Sequence, residues 1–544
     1  SYDILNAAHA NGAFAIVPTQ NNPFGSYDPS LSAGSPVKSG DTIYMAGGGP
    51  LPAGEYAMLP AGYALLPGAY LVTPLVKTAA PVPGQAVQQF TGSAIVAGQR
   101  GVAGTGAHDS LWSAFLVENG AQIRNRAEYL ESRADSFFAA GAARLNRDAG
   151  QLVIDAGTAL FLGGTLASNT TGGRGSEVDI LADNLAVVSS YTGAGDRVEL
   201  VLADLNDLNA DSLLLGATRR HQGADLVLNV QAKTVTVEKG TAEKDKLSAP
   251  EVMLAAKEQV IVASGAKIEA LDGDRVSAPA SIKLVGDSAF ARISSADQVR
   301  VQRESSQGST GRIDIAAGAV LDASRSIALD ASQDTVVDGD LVTHGGSLSL
   351  AASRVSLGDT QGVTGGLELS NDRLGVLDAR DLAFTSRGSI DFYGKVSLAN
   401  LNRVALNSAG LGGYGAADES VTISADTISL SNRSNAVFPT APGPNGSGTL
   451  NIAAREVTLD EGDFAVRGFS STTISATEQI IAKPETDTSV QLHVAGDLTL
   501  QAARVTASAG ADASIDTRNV AGAMVGKMTL TAPATPATIA PVTD

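Results

Sequence analysis

The feature that most restricts the fold is a two-part alternating pattern that returns along the chain. Leu348 to Leu357 reads LSLAASRVSL: Leu348 and Leu350 alternate with serine, Ala352 follows two places on, and Val355 and Leu357 resume the alternation. A period of two puts successive side chains on opposite faces of a strand. The template apolar-x-apolar-x-Ala-x-x-apolar-x-apolar also fits Leu228 to Val237, Val421 to Leu430 and Leu450 to Leu459. Looser copies run from Val178 to Val187 and from Leu498 to Ala507, and degenerate ones occupy Val252 to Val262 and Ile313 to Ala323. Registered on their first apolar residue, most copies are separated by near multiples of about 24 residues, a period at which one unit cannot bury its own apolar face and must stack on its neighbours.

Each copy reads as two short strands meeting at a corner where only a small residue such as Ala352, Ala425 or Ala454 fits. The expected fold is all-β: a right-handed parallel β-helix with a Pro/Gly-rich irregular N-terminal region and a short helical insert. At about 4.8 Å per turn, some 16 turns would make a solenoid on the order of 75 Å long. A leucine-rich-repeat horseshoe would need Leu/Asn spacing with a helical half-repeat, and a propeller a period nearer 40 residues.

Composition agrees with thin, evenly built layers, with 59 glycines and only 4% aromatic residues. Lys and Arg number 38 against 57 Asp and Glu, a net charge of −19 that repels nucleic acid and anionic membrane surfaces. With no cysteine, neither disulfides nor thiolate metal sites can hold the fold. No segment approaches the roughly 20 apolar residues of a membrane-spanning helix, and any signal peptide is expected to lie outside this sequence.

Four regions follow. Residues 1–107 lack the repeat and carry LPAGEYAMLPAGYALLPGAYLV, a triplicated Leu-Pro unit bearing Tyr56, Tyr63 and Tyr70. Pro removes a donor and Gly permits turns, which predicts irregular or short-stranded backbone pinned by tyrosines. Residues 108–149 place Leu111, Phe115, Leu116, Ile123, Ala127, Leu130 and Ala134 at helical spacing, with Arg124, Arg126, Glu128, Glu131 and Arg133 on other faces. One or two amphipathic helices are expected there, placed to cap the solenoid. Residues 150–530 form the β-helix, and 531–544 a Pro/Thr/Ala-rich linker.

Chemical motifs are sparse. Gly410, Gly412 and Gly415 spell GxGxxG, but a strand pattern follows where a helix is needed, so a loop between coils is expected. Gly522 to Lys527 lacks one spacer of a phosphate loop, and Met528 stands where Ser or Thr would bind magnesium. His9, His108, His221, His344 and His493 are scattered without metal-ligand spacing, so no metal or cofactor is expected. Asp314, Asp330, Asp338, Asp340, Asp378, Asp381 and Asp391 could stack on an outer face as paired acids of a glycoside-cleaving site, although solvated turns explain them more simply. The triplicated Tyr56, Tyr63 and Tyr70 are the candidate ligand or partner contacts, since Tyr combines an apolar face with a polar tip.

The strings GSLSLAASRVSL, GTLNIAAREVTL and GDLTLQAARVTA resemble the repeats of filamentous-haemagglutinin-type exoproteins of Gram-negative two-partner secretion systems, and the LPAGEYAMLPAGYALLPGAY segment is similar to one in large members. The resemblance covers most of the chain. It implies a secreted or cell-surface adhesin or fibre segment, exported through an outer-membrane partner transporter and meeting a host or bacterial surface glycan or protein. The family's Asn-Pro-Asn secretion domain and a toxin module are not visible, so an internal or late portion of a longer fibre is expected. The alternative is a carbohydrate-active β-helical lyase or hydrolase, marked by a groove where carboxylates and a Lys or Arg converge across adjacent coils.

Overall fold

The computed structural model describes residues 11–28, 32, 34–125, 148–166, 173–242, 244–271, 276–439, 446–485, 489–519 and 521–533. The protein is almost entirely β, with 51% of it in strands and long parallel sheets. It divides into two compact units, Ser1–Ala143 and Arg144–Asp544.

The first unit is an eight-stranded sheet, several of its strands only two to five residues long, where irregular or short-stranded backbone was expected. Its pairings are antiparallel, and the central strand Ala94–Val102 joins Asp41–Met45 to Ser113–Asn119. The prolines fit because they fall at strand ends and turns: Gly54–Ala57 precedes the two-residue strand Leu59–Pro60, a 3-10 turn covers Ala61–Leu65, and Tyr70–Pro74 pairs with Ser113–Asn119. The helical reading of 108–149 fails at its start, because Ser113–Asn119 is a strand with Phe115 and Val117 buried. Leu111, which that reading put on the apolar face, is 77% exposed. Among the described residues of this stretch, helix covers Gly120–Asn125; the positions Arg126, Ala127, Glu128, Leu130, Glu131, Arg133 and Ala134 lie outside the described residues.

The second unit is organised by two ladders. One has 14 strands, running from Gln151–Asp155 to Met528–Thr531, and the other has 13, all parallel. A single register position shows why the sequence stacks. Val178, Leu213, Val252, Ile293, Ile327, Leu348, Leu382, Val404, Ile428, Val457 and Ile480 lie opposite one another on consecutive strands. None is more than 4% exposed, whereas the two ends of the same column, Leu152 and Val505, are 39% and 41% exposed. Burial is conferred by the neighbouring strands, as in any stacked repeat. The adjacent column is polar throughout, from Gln151 and Glu177 to Gln479 and Arg504. Cross-strand partners lie 23 residues apart at Glu456 and Gln479 and 25 at Gln479 and Arg504, but 39 at Ser212 and Glu251, where the chain makes an excursion.

Those excursions explain why the ladder holds 14 strands instead of about 16. Ala217–Gln222, Asp225–Val230, Ser281–Val285 and Arg300–Glu304 form a separate four-stranded sheet. Leu226, Leu228, Ile282 and Leu284 from that sheet share a core with Leu214, Met253 and Phe290 of the long ladder. Glu251–Ala256 is therefore buried at every position. Ala289–Ser294 enters the long ladder inverted, antiparallel to both neighbours.

The register also corrects the sequence alignment. Leu348 lies in the column of Ile428, Val457 and Val505, not in that of Val421, Leu450, Thr472 and Leu498, which runs one corner earlier along the chain. Leu228 belongs to the four-stranded sheet. The two apolar pairs of the template are chemically alike, so hydrophobicity alone does not say which pair occupies which ladder. Ala454, Ala476 and Ala502 do stack at one corner, yet Leu401 sits opposite Ala425 with a register shift after Leu398, so a larger side chain is accommodated there by local irregularity.

Gly216 marks the point where the chain leaves the long ladder. Its φ is +90°, and a Cβ there would lie 2.1 Å from the Ala255 carbonyl oxygen and 2.8 Å from a Val235 methyl. Gly216→Ala is expected to cost about 2 kcal/mol through left-handed strain and that backbone contact. Urea denaturation would measure the loss, and a variant as stable as the parent would refute it.

Candidate functional site

A cleft of about 510 Å³ lies in the second unit on the outward side of the 13-stranded ladder. Its floor comes from Gly462–Arg467 and Val490–Val494, and Ala513–Asp516 is the next strand in the same parallel series. Phe464, Val466, Leu492 and Val494 point into the core, and alternation turns Asp463, Arg467 and His493 outward. The register sets Ala465 opposite His493 and His493 opposite Asp516.

His493 is held from behind. Its Nδ1 is 2.8 Å from Oδ1 of Asp516, whose carboxylate is buried, and Arg518 donates to that carboxylate from its backbone N–H and Nε. On the other side, Nε2 lies 3.4 Å from Gln491 Oε1 and 3.5 Å from Oδ1 of the exposed Asp463. Because the Asp516 contact takes up Nδ1 and fixes the ring, Nε2, held only by the long Gln491 and Asp463 contacts, is the nitrogen left to meet a ligand. One wall is the segment from Asn432 to Phe438. Asn432 ties it down by donating to the Ala436 and Asp463 carbonyls and accepting from Ala436 N–H. Arg467 lies 4.2 Å over the Phe438 ring. Burial pulls its guanidinium pKa below the usual arginine value, with Asp463 opposing.

A second cavity, about 350 Å³, adjoins Glu177, Ser212, Arg219, His221 and Glu251. Its charges answer one another. Arg219 donates from Nε to Asp179 at 2.6 Å and from Nη1 to Ser212, Ser212 donates to Glu251 at 2.6 Å, and Arg292 donates to Glu251 at 2.7 Å. Burial pushes the Glu251 carboxyl upward, and the Arg292 charge with the Ser212 hydrogen bond outweighs it, leaving the pKa lowered. His221 Nε2 is 2.8 Å from Glu177. Among the described residues, no group of three or more His, Asp or Glu is placed to hold a metal ion.

The tyrosines singled out by sequence sit elsewhere. Tyr56, Tyr63 and Tyr70 are half-buried against the cores of the first unit. Tyr56 donates to the Pro52 carbonyl, and the Tyr63 hydroxyl accepts from Asp28 N–H at 2.8 Å. None of the three lines that unit's cavity of about 440 Å³, which is bounded instead by Asp41, Met58, Arg100 and His108.

Nor do the seven aspartates form one stack. Asp330 and Asp381 belong to different columns of the 14-stranded ladder, Asp314 and Asp391 to the 13-stranded one, and Asp340 to a third parallel sheet. Asp338 and Asp378 fall between strands. Gly410 and Gly412, expected in a loop, are in the strand Gly410–Gly413, where a Cβ would lie 1.8 Å from the Ala465 carbonyl oxygen and 2.5 Å from Asp391 respectively.

The histidine cluster escaped sequence reasoning. The available signal was separation by one turn: His493 and Asp516 are 23 residues apart and His344 and Asp322 are 22 apart. His9 lies outside the described residues. No family model, no curated protein and no solved structure matches this chain.

Proposed function

We propose that the second unit is a right-handed parallel β-helix and that the chain is a segment of a secreted or cell-surface exoprotein, acting as an adhesin or structural fibre. The observation that carries this reading is the unbroken apolar column from Val178 to Ile480, which makes every strand depend on its neighbours and lets the unit lengthen by repetition. Right-handedness follows from the strong preference of parallel crossover connections. Repeat strings similar to those of filamentous-haemagglutinin-type exoproteins supply the export route, through an outer-membrane partner transporter, and the presentation of a surface that meets a glycan or protein. No described helix is long and apolar enough to cross a membrane.

The cleft favours a second reading, a carbohydrate-active enzyme. Asp463, Arg467 and His493 face it from adjacent strands and Arg518 from just beyond the next one, with Asp516 behind His493, and a histidine oriented by a buried carboxylate is suited to move a proton. One experiment separates the two. Beads coated with the purified chain are expected to bind host or bacterial cells above uncoated beads, while the chain incubated with polysaccharides releases no reducing or unsaturated ends. Depolymerisation without adhesion would reverse the assignment.

A further inference from the structure

Arg467 differs from the other arginines drawn into this unit in having no side-chain hydrogen bond at all, since even Arg354 and Arg373, which pair with no carboxylate, donate to backbone carbonyls. Arg219, Arg292, Arg303, Arg387 and Arg433 each bond a carboxylate, to Asp179, Glu251, Asp330, Asp330 and Asp460 in turn. The Arg467 side chain is half-buried, yet among the described residues it forms neither a hydrogen bond nor an ion pair; it rests on the Phe438 ring, and the Asp463 charge acts on it without contact. A cation withdrawn from water needs compensation that a ring quadrupole supplies only in part. An incoming anion would supply the remainder with a charge-assisted, two-point hydrogen bond.

The surroundings limit what that anion can be attached to. The cleft, about 510 Å³, falls in the range of small-ligand sites and has room for one or two sugar rings. His493 Nε2 and the Asp463 carboxylate offer partners for hydroxyls. Asn519 uses its carbonyl oxygen on the backbone N–H groups of Ala521 and Ala523, which leaves its amide N–H groups for the ligand. Val437 and Phe438 add apolar surface beside the guanidinium.

We propose that this cleft binds an acidic saccharide, with Arg467 as the contact for its carboxylate or sulfate group and His493, Asp463 and Asn519 reading ring hydroxyls. The inference deepens the surface-binding reading by naming a ligand class, and the two can fail separately. Cell adhesion without saccharide binding would leave the exoprotein standing and remove this site.

Titration calorimetry of the full chain with digalacturonate, a sulfated disaccharide and neutral galactobiose tests it. At least one charged disaccharide is expected to bind about tenfold or more tighter than galactobiose, and more weakly in high salt. Which of the two binds tighter identifies the anion as carboxylate or sulfate. Arg467→Gln is expected to lose about tenfold or more, Arg467→Lys less, because lysine keeps the charge without the fork. Phe438→Leu, on a wall segment outside the ladder, is a second variant that keeps the floor intact and is expected to weaken binding several-fold. The proposal is overturned if galactobiose binds as well as the charged sugars, if neither charged sugar binds, or if folded Arg467→Gln or Phe438→Leu binds like the parent.

Discussion

Asp330→Ala is expected to remove about 3–5 kcal/mol of unfolding free energy near neutral pH, the range for breaking a buried ion pair from one side. Asp330 is 5% exposed, and its Oδ1 accepts from Arg303 Nε at 3.1 Å, Arg303 Nη2 at 2.6 Å and Arg387 Nη2 at 2.8 Å. Alanine would leave two guanidinium groups facing each other with no anion between them. The cost is therefore mainly that of stranded cations, and a triple variant with Asp330→Leu, Arg303→Met and Arg387→Met should recover most of it, since apolar replacement of a whole buried ionic cluster is often neutral or better. Burial pushes the Asp330 carboxyl upward, but the charges of Arg387 and Arg303 prevail and hold it below its ordinary 3.8. A carboxyl with a depressed folded pKa contributes stability that is fully present above the unfolded value and lost as pH falls through the folded one. The gap between parent and Asp330→Ala should thus be constant above about pH 5 and close in strong acid. Denaturant titrations at pH 7 and pH 3 measure both; a neutral-pH loss under about 1 kcal/mol, the level of an exposed pair, would reject the buried-pair account.

Much of the second unit could be read from the sequence because its two main ladders rest on strict alternation. Leu348 and Leu350, and Val355 and Leu357, are each buried on one of the two ladders, as the pattern implies. What could not be read lies in contacts between segments distant in the chain, which decide which faces are wet and which way a strand runs. Val252 to Ala256 loses its alternation because the separate sheet covers Met253 and Ala255. Ala289 to Ser294 carries the same alternation in either direction, so its inversion leaves no trace in a hydrophobic pattern. In the first unit, Leu111 and Phe115 mimic helical spacing, while pairing with Tyr70–Pro74 and Ala94–Val102 imposes a strand. The cleft was hidden more deeply. His493 and Asp516 look unrelated until strand register places them side by side, and Arg467 stands out only when its lack of any side-chain hydrogen bond is compared with the pairing of the other buried arginines.

Asp391 presents the opposite case from Asp330, and its neutralisation should stabilise the protein. It lies in the 13-stranded ladder between Ser356 and Gly412, fully buried, and neither carboxylate oxygen has a hydrogen-bond partner; the Ser356 and Ser389 hydroxyls and Arg354 Nε are likewise buried and unpaired. Tyr393 and Tyr414 are stacked with ring centroids 4.9 Å apart, and burial first and the Asp391 charge second raise both phenol pKa values. Burial raises the Asp391 carboxyl itself to about 6, against weaker lowering by the neighbouring Ser389 hydroxyl, which approaches it outside hydrogen-bond geometry, and by the Arg354 charge. A carboxyl with a raised folded pKa leaves stability intact below the unfolded value of 3.8 and withdraws it as pH climbs to about 6, after which the deficit is constant. At roughly 1.4 kcal/mol per pKa unit, the deficit at pH 8 is on the order of 2–3 kcal/mol. Asp391→Asn keeps the shape and removes the charge, so it is expected to raise stability by about that amount at pH 8 and to change little near pH 4. Parallel denaturant titrations at the two pH values decide the matter. An equal gain at both would mean that charge is not the cause, and a loss at pH 8 would mean that the ionised carboxylate makes stabilising bonds in solution.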